Sequence, residues 1–381
     1  MPLRILQLNS ARKYVGEAAH TLNLTEALRR AGHTVLLGLR EGFETHAHAQ
    51  ARALDPIAFR FESRWNPLRD WADMARIAEL IREHRIDVVH AHRSKEHWLA
   101  ALAQRRLKRK IPVVRTRHLT RPLSAHLFNR WLARRTARMI VVSKAVEADV
   151  RSTKLYPGAH VALIPGGLDL ERYARTGRRE AVRADLKLDP DALVVACVAR
   201  LMPIKGHDIL LRAWSVVHAA HPSAVLLLIG GGGRQEALEA QARAAKLEDR
   251  VRFLGRQDPR DIAGLLEAAD AGVLASTGSE GFSRAVLEYM ALALPAVGTT
   301  VGAIPDLVEP EISGKLVPPG NADAMGRALR DLLALPAEVR AAWGAAGRAR
   351  AEANHGYAAW VRAHERVYAE AGATGTGSMP S

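Results

Sequence analysis

The stretch LVVACVARLMPIKGHDILLRAWSVVHAAHPSAVLLLIG, residues 193–230, decides the fold. It opens on "LVVACVAR", an apolar run that predicts a buried strand. "DILLRAWSVVHAAH" has the length and apolar spacing of a helix, and "AVLLLIG" is a second buried strand. Two buried strands joined by a helix make a βαβ unit and imply a parallel sheet. The alternation continues in both directions. Upstream, "LRILQLNS", "HTVLLGL", "DVVHAH", "IPVVRTRH" and "MIVVSKA" read as strands. "AAHTLNLTEALRRAG" (with Gly32 as its stop), "WADMARIAELIREHRI", "AALAQRRLKR" and "SAHLFNRWLARRTAR" read as the helices between them. Downstream, "VRFLG", "DAGVLAS", "PAVGT" and "GKLVPP" read as strands, and two helices close the chain.

The Pro- and Gly-rich "LYPGAHVALIPGGLDLERY" interrupts this series. The reading is therefore an N-terminal domain over 1–165, a linker over 166–190 and a C-terminal domain over 191–355. A helix over 356–372 packs back on the N-domain, and 373–381 is a disordered tail. The 381 residues suit two domains of ~150 residues each. Ligands of open parallel sheets bind at the carboxyl ends of the strands.

Composition narrows the function. The single cysteine, Cys197, lies in an apolar run, so it offers no disulfide framework and no thiolate metal site. No apolar run reaches the ~18 residues a membrane span needs. The polar start "MPLRILQLNS" is unlike a signal peptide, and a cytoplasmic location is expected. The net charge is +15, and residues 101–155 alone hold fifteen Lys/Arg against two acids, Glu147 and Asp149. Such a patch points to an anionic partner: a phosphorylated glycan, an acidic lipid surface or nucleic acid. A solvated arginine-rich surface is the plain alternative.

Two stretches carry chemistry. In "SEGFSRAVLEYM", residues 279–290, a strand ends near Ser276 and a loop enters a helix. A helix start offers free N–H groups to an anion, here from Gly281, Phe282 and Ser283. Eight residues at 3.6 per turn put Glu288 about two turns along and about 80° round from Glu280. Carboxylates suit sugar and ribose hydroxyls. In "RLMPIKG", Arg200 closes a buried strand and Lys205 follows beside Gly206. Two cations in a strand-to-helix loop suit a diphosphate. Surface charges with no ligand are the alternative for both stretches.

"RLMPIKG" followed by "EGFSRAVLE" resembles the retaining glycosyltransferases of family 4. "GEAAHTLNLTEALRRAGHTV", "DVVHAH", "PVVRTRH", "VALIPGGLDLERY", "LLLIGGGG", "VRFLG", "DAGVLAS" and "GKLVPPG" match in order, over nearly the whole chain. The resemblance implies an α/β GT-B fold, two Rossmann-like open parallel-sheet domains facing a central cleft. It implies transfer of a sugar, with retention, from a nucleotide-sugar to a glycan or lipid-linked acceptor of the cell envelope, such as lipopolysaccharide core. UDP is the expected nucleotide, on family frequency. Arg200 and Lys205 would hold the diphosphate and stabilise it as it leaves. Glu288 would bind the ribose. Glu280 would contact the donor sugar, with the N–H groups of Gly281, Phe282 and Ser283. His118 would lie near the sugar, and Gly16 over the phosphates. Arg256 and Gln257 would face the base, and Gly230 and Gly231 form the neighbouring loop. No metal or other cofactor is implied, because Arg and Lys supply the charge. The chain departs from the family at Gly166, where Asn is usual, at Ser283, where Pro is usual, and in a first loop with one glycine. Rival readings are an epimerase-like sugar-nucleotide enzyme and a non-catalytic anion-binding protein.

Other signals rank lower. His90, His92 and His97, and His46 with His48, have His-x-His spacing but no carboxylate or cysteine ligand nearby. His92 to Lys95 could line the acceptor side. "GGGGRQ" breaks the dinucleotide pattern at Gln235 and lacks the P-loop Lys-Ser/Thr. In "PLSAHLFNRWLARRTARM", Leu123, Leu127, Trp131 and Leu132 share one helical face, with Arg130, Arg134, Arg135 and Arg138 on others. That suits peripheral contact with the inner face of an anionic membrane, or with a phosphorylated lipid-linked glycan, through residues 101–155. No nucleic-acid-binding module is recognisable.

Overall fold

The computed structural model describes residues 1–120, 123–278 and 280–374. The chain forms two compact units: Met1–Gly167 with the chain from Tyr357 on, and Leu168–Gly356.

The first unit is built on seven parallel strands: β1 (Arg4–Asn9), β2 (Thr34–Arg40), β3 (Ile57–Phe59), β4 (Val88–Ala91), β5 (Val113–Arg117), β6 (Arg138–Val141) and β7 (Val161–Leu163). Their order is β3-β2-β1-β4-β5-β6-β7. Ile5 sits between Val35 of β2 and Val88 of β4. β1 is buried along nearly its whole length on both faces, its polar Gln7 and Asn9 included. The strand order reverses between β1 and β4, and such switch points are where open α/β sheets bind ligands.

The closing helix Tyr357–Thr374 belongs to this unit. Trp360, Val361, Val367, Tyr368 and Ala371 pack with Ile5, Leu24, Val35 and Val88. Each large apolar side chain buried this way contributes about 1.5–3 kcal/mol. Gly167 leaves room for the helix, since a Cβ there would lie 2.3 Å from the Trp360 ring. Of the tail read over 373–381, Ala373 and Thr374 end this helix, and residues 375–381 lie outside the described ones.

The second unit has six parallel strands: β8 (Val194–Val198), β9 (Val225–Ile229), β10 (Val251–Gly255), β11 (Ala271–Leu274), β12 (Ala296–Thr299) and β13 (Gly314–Val317). Their order is β10-β9-β8-β11-β12-β13. The stretch 193–230 forms β8, the helix His207–Ala220 and β9, with Val195 beside Leu226. From Leu168 on, the stretch read as a linker packs into this unit. Tyr173, Val182 and Leu188 are buried in its core, and Arg183 donates to Asp270 at 2.9 Å.

Three helical details differ from the sequence reading. The helix expected over "SAHLFNRWLARRTAR" spans only Leu127–Ala133. Arg138 therefore lies on β6, not on that helix, and pairs there with Glu370. The run after "MIVV" is a separate helix, Lys144–Ser152, capped by the Ser143 side chain.

Candidate functional site

In the second unit the expected donor residues gather past the carboxyl ends of β8–β11. Arg200 follows β8, Gly230 and Gly231 follow β9, and Arg256 and Gln257 follow β10. Backbone bonds tie these loops together. The Leu201 N–H donates to the Gly231 carbonyl at 3.0 Å, and the Gly230 N–H donates to the Gly255 carbonyl at 2.9 Å. The approach is close enough to need glycine. A Cβ on Gly230, whose φ is +147°, would lie 2.0 Å from the Ala199 carbonyl. The Gln257 side-chain amide donates to the Leu254 carbonyl. Arg200 is exposed and has no carboxylate partner among the described residues.

Lys205 ends a short 3-10 turn, Pro203–Lys205, and Gly206 opens the next helix at φ +65°. Its ammonium pairs with the Glu280 carboxylate, which also accepts from the Ser276 hydroxyl at 2.5 Å. Glu280 and Glu288 are buried, at 4% and 3% exposure, so neither is a surface carboxylate. Glu288 accepts from the Tyr173 hydroxyl and from Arg284 Nε, each at 2.8 Å. Burial and the neighbouring Glu288 raise the Tyr173 pKa, which keeps the phenol a neutral donor.

The helix runs Arg284–Ala291 with Ser283 as its N-cap residue. Glu280 precedes it, so the helical angle expected between the two glutamates does not apply. Gly281, Phe282 and Ser283 lead into the helix start. The buried Ser283 Oγ makes no cap bond and has no hydrogen-bond partner among the described residues.

His118 and Gly16 lie in the first unit. His118 follows β5 and is buried. Its Nε2 is 3.3 Å from His92 Nδ1, and its ring meets the His20 ring edge-on at 4.6 Å. Burial, then Arg115 and Arg93, push its pKa down to about 3, so the imidazole is neutral. His20, His92 and His118 bring three ring nitrogens within 4.8 Å of one another. Three neutral imidazoles could hold a divalent transition ion. His90 and His97, paired with His92 in the sequence reading, instead bond to the hydroxyls of Thr116 and Thr136 at 2.7 and 2.9 Å. Gly16 opens the helix Gly16–Arg30, and no atom lies within 4 Å of where its Cβ would be.

A pocket of about 280 Å³ opens in the same unit, beside His92 and His118. Arg12, Arg40, Arg93, Lys95, Arg115 and Arg117 line it, with Glu17 and Glu62 as the acids among its described lining residues. His92 to Lys95 do line this pocket, whereas Arg12 and Arg40 were not singled out from sequence. They come from segments remote from 101–155, and only strand pairing brings them to Arg115 and Arg117.

Two family profiles divide the chain. Residues 15–172 match "Glycosyltransferase Family 4", and 178–350 match "Glycosyl transferases group 1". The chain belongs to the family 4 glycosyltransferases. Its fold is GT-B. Over 96% of this chain and 99% of the other, it superposes on Anabaena HepE, solved with UDP and glucose, with a TM-score of 0.79 at 22% identity. It is 30% identical over 287 residues to a D-inositol 3-phosphate glycosyltransferase of Segniliparus rotundus, covering 70% of this chain and 62% of that one. A GDP-mannose-dependent monoacylated alpha-(1-6)-phosphatidylinositol monomannoside mannosyltransferase of Corynebacterium glutamicum is 35% identical over 198 residues, or 50% and 51% of the two chains. This family member thus spans about half to three-fifths of the length of the curated relatives it matches.

Proposed function

We propose that the chain transfers a sugar from a UDP-sugar, with retention and without a metal, to a cell-envelope glycan or lipid-linked acceptor such as lipopolysaccharide core. The observation that carries the reading is the cation pair beyond β8. Arg200 has no carboxylate partner among the described residues, and Lys205 rests on Glu280 at a loop cluster suited to a diphosphate. A bound diphosphate draws Lys205 and frees Glu280 for a sugar hydroxyl. In transfer the bond between the sugar carbon and the phosphate oxygen breaks. The acceptor oxygen bonds to the same face of that carbon, and its proton passes to the departing phosphate. Arg200 and Lys205 stabilise the charge that develops there. His118 stays neutral and serves as a hydrogen-bond partner for the sugar.

UDP in the HepE structure supports the choice of base, while the Corynebacterium relative's name specifies GDP-mannose. A thermal-shift screen against UDP, GDP, ADP and their sugars decides between them. A ligand bound only by the folded state raises stability as RT ln(1 + [L]/Kd). A shift with UDP compounds alone, unchanged by EDTA, is the expected result. A shift with GDP compounds alone changes the base. Loss of the shift or of transfer in EDTA would put an ion in the machinery, and His20, His92 and His118 would be the first ligands to replace.

Tyr173→Phe removes one of the two bonds that hold Glu288. A neutral bond to a carboxylate contributes about 1.5–3 kcal/mol. The KM for the donor is expected to rise about tenfold, with kcat within about twofold. An unchanged KM would detach Glu288 from the ribose.

Work at the inner face of the cytoplasmic membrane is supported by the surface of the first unit. Trp65, Leu68, Trp71, Leu127 and Phe128 are exposed there. Arg106 lies over the Trp71 ring at 4.5 Å and Arg135 over the Trp131 ring at 4.0 Å. Exposed aromatics interleaved with arginines suit an anionic lipid interface. Among the described residues no helix is long and apolar enough to cross a membrane.

A further inference from the structure

Three histidines from separate segments meet in the first unit. His20 lies on the helix Gly16–Arg30, His92 follows β4 and His118 follows β5. All three are buried, and His92 and His118 also stand on the wall of the pocket, which gives an ion a way in. Among the described residues they are the one set of three His, Cys, Asp or Glu side chains whose ligand atoms lie within 4.8 Å of one another.

The spacing is that of a coordination sphere. Zinc–nitrogen bonds of about 2.0–2.1 Å in a tetrahedron put neighbouring nitrogens about 3.3–3.4 Å apart. His92 Nδ1 and His118 Nε2 are 3.3 Å apart. A His20 ring nitrogen within 4.8 Å of both needs only a small turn of its side chain to join them. The neighbours also fix a tautomer. Gln7 presents its acceptor oxygen Oε1 to His92 Nε2 at 3.0 Å, so Nε2 carries the proton and Nδ1 keeps a lone pair aimed at His118. Metal-ligating imidazoles donate their other N–H in just this manner, which orients the ring and raises its basicity. His90 stacks on His92 at 4.4 Å, but Tyr368 and Thr116 take up its two nitrogens at 2.8 and 2.7 Å, and it stays outside the set. Burial keeps all three rings uncharged, the form that binds a metal.

The charges around the set bound its affinity. Arg115 and Arg93 act on His118 and oppose a dication. Glu17, paired with Arg93 at 3.1 Å, and Glu96, which acts on Arg115, offset them. Three neutral ligands in such surroundings suit an ion that is taken up and released, rather than a closed structural centre.

We propose that His20, His92 and His118 bind a divalent transition ion, Zn²⁺ first, with a water from the pocket in the fourth position, and that the bound ion stops transfer by withdrawing His118 from the sugar. The ion site stands on geometry alone; its inhibitory effect rests on the transferase reading. On binding, His118 moves its proton to Nδ1, and Nε2 exchanges its bond with His92 for one to the metal.

The test is a titration of Co²⁺ into the full chain after EDTA treatment and desalting. Cobalt held by three imidazoles should show the intense visible bands of a four-coordinate ion, and Zn²⁺ should bleach them. His20→Phe keeps a ring in place and should weaken Co²⁺ at least about 100-fold, the upper end of what loss of an outer partner costs. Gln7→Leu removes no ligand and should weaken it about 10- to 100-fold, which keeps the test valid if His20→Phe fails to fold. His48→Ala, outside the set, should change nothing. A wild type without the bands would overturn the site, as would bands that survive in both His20→Phe and Gln7→Leu or vanish in His48→Ala. The effect on turnover is read separately. Buffered Zn²⁺ should stop consumption of a UDP-sugar by the wild type and EDTA should restore it, while His20→Phe works equally with and without Zn²⁺. Turnover untouched by Zn²⁺ in a chain that binds Co²⁺ would overturn the inhibition and keep the site. Co²⁺ binding by a chain that binds no nucleotide would sink the transferase reading and leave the site standing.

Discussion

Lys205→Ala is expected to lower kcat by about 10²- to 10³-fold, the usual loss when one preorganised donor to a developing negative charge is removed. UDP should bind about tenfold more weakly at the same time. The expectation follows from where the lysine sits. Its side chain is 18% exposed and its ammonium rests on the buried Glu280 carboxylate. On the proposed reading the ammonium would exchange the Glu280 carboxylate for the diphosphate when donor binds.

The substitution has a second consequence that must be separated from the first. Removing Lys205 leaves Glu280 with Ser276 as its remaining side-chain partner. Breaking a buried ion pair from one side costs about 3–5 kcal/mol. The double variant Lys205→Ala/Glu280→Gln removes the stranded charge. It should recover most of the stability lost in Lys205→Ala and none of the transfer. Recovered transfer in the double variant would mean that the lysine's task is to neutralise Glu280. Unchanged UDP affinity in Lys205→Ala would remove the diphosphate from this loop altogether.

Much of this was legible in the sequence because buried parallel strands are continuous apolar runs. Val194–Val198 and Val225–Ile229 are such runs, and the helix between them ends where His221 and Pro222 stop it. The cations and Glu280 were legible as residue types in loops that follow strands, and Glu288 as a carboxylate in the helix after one of them. Their pairing was not. Lys205 and Glu280 are 75 residues apart, and only the β8–β11 adjacency brings them together. Tyr173 was hidden in a stretch that Pro and Gly mark as a joint. Its ring is buried in the core and only its hydroxyl reaches Glu288. The Arg pocket was invisible for a different reason. Charge density along the chain pointed to 101–155 as surface, whereas Arg115 and Arg117 lie on a buried strand. A clue was available in "VVRTRH", where arginines alternate within a β-branched run and cannot all face water.

Mild acid is expected to unfold the first unit before the second. His20, His90, His92, His97, His118 and His364 are all buried in the first unit, and burial lowers the pKa of each. The value falls to about 3 for His118 and about 4 for His364. The native state keeps these rings neutral while the unfolded chain protonates near pH 6.5. Below that pH the unfolded state binds more protons, so stability falls as pH falls. The contribution is complete above about pH 6.5 and is lost progressively towards pH 4 to 3. Each ring costs about 1.4 kcal/mol per pH unit in that window. Six rings therefore exhaust an ordinary stability of about 5–15 kcal/mol within one to two pH units. In the second unit His207 and His355 are the buried histidines among the described residues; burial lowers His207 to about 4, and with fewer buried rings than the first unit its slope is shallower. Hydrogen exchange read by mass spectrometry from pH 7.5 to 4.5, corrected for intrinsic rates, should show β1, β4 and β5 losing protection near pH 5 while β8 and β9 keep theirs. His364→Leu removes one proton site and should move that midpoint down. Equal loss of protection in both units would mean that the buried imidazoles accept their protons in place, with hydroxyl partners such as Thr116 and Tyr368 turning to receive them.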